Sequence, residues 1–135
     1  MKLAPKKILV PLALDSDEER KISEAAVEAA CDLAKAFGAS LVLTHAAPPP
    51  VPVVGPDLSG ETLKVLSQVI EERMATAKTA LAGFEAKAKE MGVTATSVVR
   101  SDPDGIPRVL VGVAEDEGVD MIAMCSHGRM GITRV

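Results

Sequence analysis

The chain has 135 residues, a formal net charge of -4, 47% hydrophobic content and 1% aromatic content. That length holds one domain with a substantial core and excludes a nucleotide domain joined to a separate substrate domain. Two phenylalanines with no Trp or Tyr exclude an aromatic base-stacking platform, and an acidic balance with scattered Lys and Arg disfavours bulk nucleic-acid binding.

In chain order, KILVPLAL (7–14) is apolar on both faces, which predicts a strand covered by helices on each side. The lysines before it do not make a secretory leader, because Pro11 interrupts the apolar run, acid follows, and no small-residue cleavage pattern appears. Ser16 followed by Glu19 makes a capping box, and Ile22, Ala25, Ala26, Ala29, Leu33, Ala36 and Phe37 recur at helical spacing. Gly38 ends that helix, and SLVLTHA (40–46) reads as a second strand.

The stretch APPPVPVVGPDLSG (47–60) has too many prolines for a helix or a central strand and is expected to be an irregular excursion. The uncharged run from Ala36 to Pro56 contains five prolines and two glycines, so no transmembrane helix is expected there. Leu63, Leu66, Ile70, Met74, Ala77, Leu81, Phe84, Ala88 and Met91 then step by threes and fours, a long amphipathic helix closed by Gly92. VTATSVVR gives a third strand and DPDG a turn. Val109, Leu110, Val113 and Ala114 mark a shorter helix ended by Gly118, and MIAMCS a fourth strand.

The order βαβαβαβ implies an α/β fold: a doubly wound parallel sheet with helices on both faces. Ligands of such sheets bind beyond the carboxyl ends of the strands, where the strand order reverses. The informative loops are therefore ALDSD, AAPPP, RSDPDG and SHGRMG. In the last, Gly128 and Gly131 follow a buried strand and are expected to open another helix, whose N-terminus and amides would hold phosphate.

KKILVPL, LVLTHA and AEDEGVDMIAMCSHGR resemble the landmarks of the universal stress protein family, and the similarity runs from Lys6 to Val135. The resemblance implies strand order 3-2-1-4-5, a homodimer, and an adenine-nucleotide site, with ATP and Mg2+ in the ATP-binding branch. It implies cofactor contacts from Pro11, Leu12, Ala13, Asp15, Ala46, Met124, Ser126, His127, Gly128 and Arg129. Cys125 stands where the family's cradle has its first glycine, and Ala13 stands where it has an aspartate, leaving Asp15 as the nearby carboxylate. The cradle's second glycine would fall at about position 138. The fifth strand is therefore expected to be missing from the 135-residue chain, a single but C-terminally incomplete domain.

Other readings are bland. Cys31 and Cys125 lack CxxC spacing, which suits a reducing compartment and makes the cytoplasm the expected location. Cys31 is expected in the core. His45 and His127 lack an acidic ligand pattern, so no metal site of the protein's own is expected. Asp15, Asp17, Asp102 and Asp104 are explained equally by turns and by Mg2+ held through a nucleotide. No general base or activated nucleophile stands out. The leading expectation is a stress-response sensor or scaffold that binds ATP. The alternatives are a dimeric interaction module without nucleotide and a slow ATPase using Asp15.

Overall fold

The computed structural model describes residues 4–47, 60–102, 104–126 and 129–134, and at 62–63 and 125–134 the backbone alone. The elements run β1 (Lys7–Pro11), α1 (Asp17–Phe37), β2 (Ser40–Ala46), α2 (Gly60–Glu90), β3 (Ala95–Arg100), α3 (Ile106–Glu117), β4 (Met121–Ser126) and β5 (Arg129–Arg134). They form one sheet ordered β3-β2-β1-β4-β5. The first four are parallel, as the alternation of strands and helices requires.

Strand alternation divides the core between the two faces of the sheet. Ile8, Val10, Leu41 and Leu43 pack with Ala26, Val27, Ala30 and Ala34 of α1 and with Ala77, Leu81 and Ala88 of α2. Leu9 and Val42 point the other way and meet Val109, Val113 and Ala114 of α3. Both faces of β1 are thus covered, which accounts for its uninterrupted apolar run.

Ser16 caps α1 by accepting from the Glu19 N–H at 3.1 Å, and Gly38 ends it in the left-handed region at φ 67°. The buried face of α1 is offset from the expected stripe. It consists of Ser23, Ala26, Val27, Ala30, Cys31 and Ala34, while Ala25, Ala36 and Phe37 are exposed. Small side chains let the helix lie close to the sheet, so size, and not hydrophobicity, selects the face that is buried. Cys31 is fully buried, as expected. The Pro-rich stretch falls on residues 48–59, outside the described residues.

The end of the chain differs from expectation. Residues 129–134 do not open a helix: they form β5, antiparallel to β4, with Ser126 opposite Arg129 and Met121 opposite Arg134. The fifth sheet position is thus taken by an antiparallel hairpin strand, beside a parallel sheet of four strands in the expected order 3-2-1-4. The physical reason is the open edge of β4, whose backbone groups find partners in the short MGIT run that immediately follows.

Candidate functional site

The crevice begins with a missing donor. The Leu12 N–H donates to the Thr44 carbonyl at 2.8 Å and the Lys7 carbonyl accepts from the Asp120 N–H at 2.9 Å. Even-numbered residues of β1 thus turn their backbone groups to β2 and odd-numbered residues turn theirs to β4. Pro11 is odd and has no N–H to give. Register with β4 is limited to Ile8↔Met121 and Leu9↔Ile122, and toward their carboxyl ends β1 and β4 part. The same place is the topological switch point, since α1 covers one face and α3 the other.

Beyond the split, three successive carbonyls of the β1–α1 loop are held by side chains. His45 Nδ1 donates to the Leu12 carbonyl at 2.9 Å, Ser23 Oγ to that of Ala13 at 2.8 Å and Arg20 Nε to that of Leu14 at 3.2 Å. A loop so tied is preorganised without a ligand, as a binding site requires. His45 is only 6% exposed. Its bond to a carbonyl, which can only accept, places a proton on Nδ1.

Two clefts flank this loop. The smaller, about 180 Å3, is bounded by Pro11, Leu12, Ala13, Asp15, Ala46 and Met124, six of the residues expected from the sequence. Ile106 and Leu110, at the start of α3, and His45 complete its wall. Their arrival was not read from the sequence, although the DPDG turn that delivers α3 to this end of the sheet was the available signal. The cleft is largely apolar with one carboxylate at its mouth, a lining that suits a flat heterocycle with hydroxyls at its edge.

The larger cleft, about 670 Å3, lies between the β1–α1 loop and the N-terminal half of α2. Arg20, Arg73, Glu72 and Thr76 bring charge and hydrogen-bonding capacity to it, and Asp15 and His45 line both clefts. Of the remaining expected residues, Ser126 ends β4 and Arg129 begins β5. His127 and Gly128 lie outside the described residues. Because β5 is a strand, the described backbone after β4 supplies no helix N-terminus for phosphate. Among the described residues no three His, Cys, Asp or Glu side chains gather as a metal site, and no helix is long and apolar enough to cross a membrane.

Fold and crevice together define a doubly wound α/β protein with clefts at the topological switch point of its sheet. A family model described as the universal stress protein family matches residues 5–135, and the chain belongs to that family. A solved protein of the universal stress protein family from Burkholderia pseudomallei is similar at a TM-score of 0.70 and 20% identity, over 94% of this chain and 86% of that one. The universal stress protein from Archaeoglobus fulgidus in complex with dAMP is similar at 0.58 and 16%, over 90% and 82% of the two chains. An Arabidopsis thaliana protein of the family with AMP bound is similar at 0.59 and 17%, over 90% and 77%. At these identities the structural likeness speaks for the fold. No curated protein matches the sequence.

Proposed function

We propose that the chain is a stress-response sensor or scaffold that binds an adenine nucleotide at the carboxyl ends of β1 and β4. The observation that carries this reading is the meeting of Pro11, Leu12, Ala13, Ala46 and Met124 around one small apolar cleft with Asp15 at its mouth. Solved relatives hold AMP and dAMP, which supports adenine as the base. A volume of about 180 Å3 lies below the roughly 300–1,000 Å3 that encloses a drug-sized ligand. The cleft therefore takes the base, and sugar and phosphate extend beyond it. Asp15 is the carboxylate that would accept from ribose hydroxyls. ATP with Mg2+ belongs to the same reading, the ion being carried on the phosphates, since magnesium is commonly held through one or two carboxylates plus substrate phosphates. A cytoplasmic site of action, a single domain and a homodimer complete the proposal.

Calorimetric titration of AMP into the full chain tests it. The expected result is saturable binding that Ala46→Phe, which fills the base cleft, weakens at least tenfold while circular dichroism stays unchanged. Absence of heat from AMP, ADP and ATP alike would reject the reading. It would favour the nucleotide-free dimeric module, for which the specific observation is the antiparallel β5 in the place of the expected phosphate-binding helix.

A further inference from the structure

Away from the switch point, β3 is an outer strand whose only sheet neighbour among the described residues is β2. The Leu41 N–H donates to the Thr94 carbonyl and the Ala47 N–H to the Arg100 carbonyl, each at 2.9 Å. Even-numbered residues of β3 therefore turn their backbone groups to β2, while Ala95, Ser97 and Val99 turn theirs outward. Native sheets blunt such a row with proline, with charge inside the strand or with a bulge. ATSVVR carries no proline and no charge before its last residue, and its register with β2 is unbroken.

α2 leaves a groove along this row. Its buried positions Ala77, Leu81 and Ala88 pack toward the sheet, and Lys87, on one flank, pairs with Glu24 and Glu28 of α1. Helical spacing sets Ala82, Glu85, Ala86 and Lys89 on the opposite flank, where they enclose a groove of about 590 Å3 with residues 93–95 at the start of β3. Neither Glu85 nor Lys89 enters an ion pair among the described residues. Four residues apart, they are separated by about 6 Å along the helix, close to the roughly 6.6 Å between alternate residues of a strand. Farther along the same face of β3, opposite Leu43, the Ser97 hydroxyl is buried without a hydrogen-bond partner, a state that buried polar groups rarely keep.

We infer that the outer edge of β3 is a docking site for an extended segment of a partner protein, which adds a sixth, antiparallel strand and presents a hydroxyl, a basic and an acidic side chain at successive alternate positions. The inference goes beyond the nucleotide reading and does not depend on it. Main-chain bonds to Ala95, Ser97 and Val99 supply affinity, and the alternate side chains supply specificity. Antiparallel pairing is the more stable arrangement. A crossover helix runs opposite to its strands, so a segment entering from the carboxyl end meets Ser97, then Glu85, then Lys89. Its hydroxyl bonds that of Ser97 across the strands, and its basic and acidic groups complement Glu85 and Lys89 in that order.

The test titrates the full chain into a capped, fluorescent peptide, Thr-Val-Thr-Val-Lys-Val-Glu, and follows polarisation. Saturable binding is expected. Ser97→Pro removes one outward N–H and spares the ladder to β2, as proline does on an edge strand, and is expected to weaken binding at least tenfold. Exchanging lysine and glutamate in the peptide is expected to weaken it at least threefold, and Glu85→Lys combined with Lys89→Glu to reverse that preference. Both side chains lie outside the buried core, so this double variant decides the matter if Ser97→Pro fails to fold. No binding at millimolar peptide, affinity untouched by Ser97→Pro in a folded chain, or a charge preference unmoved by the double variant would overturn the inference. Concentration-dependent self-association that Ser97→Pro abolishes and the peptide does not displace would assign the edge to a second copy and overturn it as well.

Discussion

Residue by residue, the β1–α1 loop is the most closely specified part of the site, and its determinants are polar side chains of α1 and β2 that hold its carbonyls. Ser23 is 3% exposed and its hydroxyl goes to the Ala13 carbonyl. Ser23→Ala is expected to cost about 1 kcal/mol, read as a lower denaturation midpoint with unchanged slope. Burial pushes the Cys31 thiol pKa up, with Lys35 opposing and Asp32 adding to the rise. Cys31 is therefore expected to stay a neutral thiol and to resist alkylation at pH 7.5 in the folded chain, with mass mapping of labelled peptides as the check. On the surface, the hydrogen bond from Lys87 and then its charge lower the Glu24 pKa, while the bonds from Glu24 and Glu28 raise that of Lys87. A depressed carboxylate contributes stability above its unfolded pKa that is lost as pH falls through the folded one. A raised lysine contributes stability below its unfolded pKa that is lost as pH rises through the folded one. Lys87→Ala should return the Glu24 titration, followed by carboxyl carbon shifts, to the ordinary carboxylate range.

Among elements, the helices and parallel strands were legible because each carries its own punctuation: Ser16 and Glu19 at the start of α1, glycines at 38, 92 and 118 after the helices, and unbroken apolar runs in β1 and β2. Gly38 shows why that signal is dependable. Its φ is +67° and a Cβ there would meet nothing within 4 Å, so Gly38→Ala isolates the backbone strain of the left-handed turn. The expected loss is about 1–2 kcal/mol by thermal or chemical denaturation. Two features were not legible. The buried face of α1 was misplaced because alanine occurs all round the helix, and only the sheet decides which alanines are covered. The residues after Ser126 were expected to open a helix, since Gly128 and Gly131 fit a helix entrance and a hairpin equally well, and the edge of β4 decides between them. As an outer strand with a partner on one side only, β5 should exchange its amide hydrogens through local opening, orders of magnitude faster than β1 and β2, whose protection should approach the global stability. Comparable protection in β5 and β1 would mean that the outer edge of β5 is itself covered.

For the whole molecule, one local defect organises the function proposed here. Pro11 ends the ladder between β1 and β4, the switch point opens there, and α1 and α3 on opposite faces leave a cleft on each side of a tied loop. Six of the ten expected site residues meet at the smaller cleft, because the ends of successive parallel strands necessarily converge at one edge of the sheet. What the sequence did not disclose is the second cleft, since it depends on how far α2 overruns the sheet and on which of its turns is first buried. The most direct measurement of the central claim is an amide chemical-shift map of the full chain titrated with AMP. The account predicts saturating shifts at Leu12, Ala13, Asp15, Ala46, Ile106, Leu110 and Met124. Saturating shifts confined to other surfaces, or a spectrum unchanged at millimolar AMP, would contradict it.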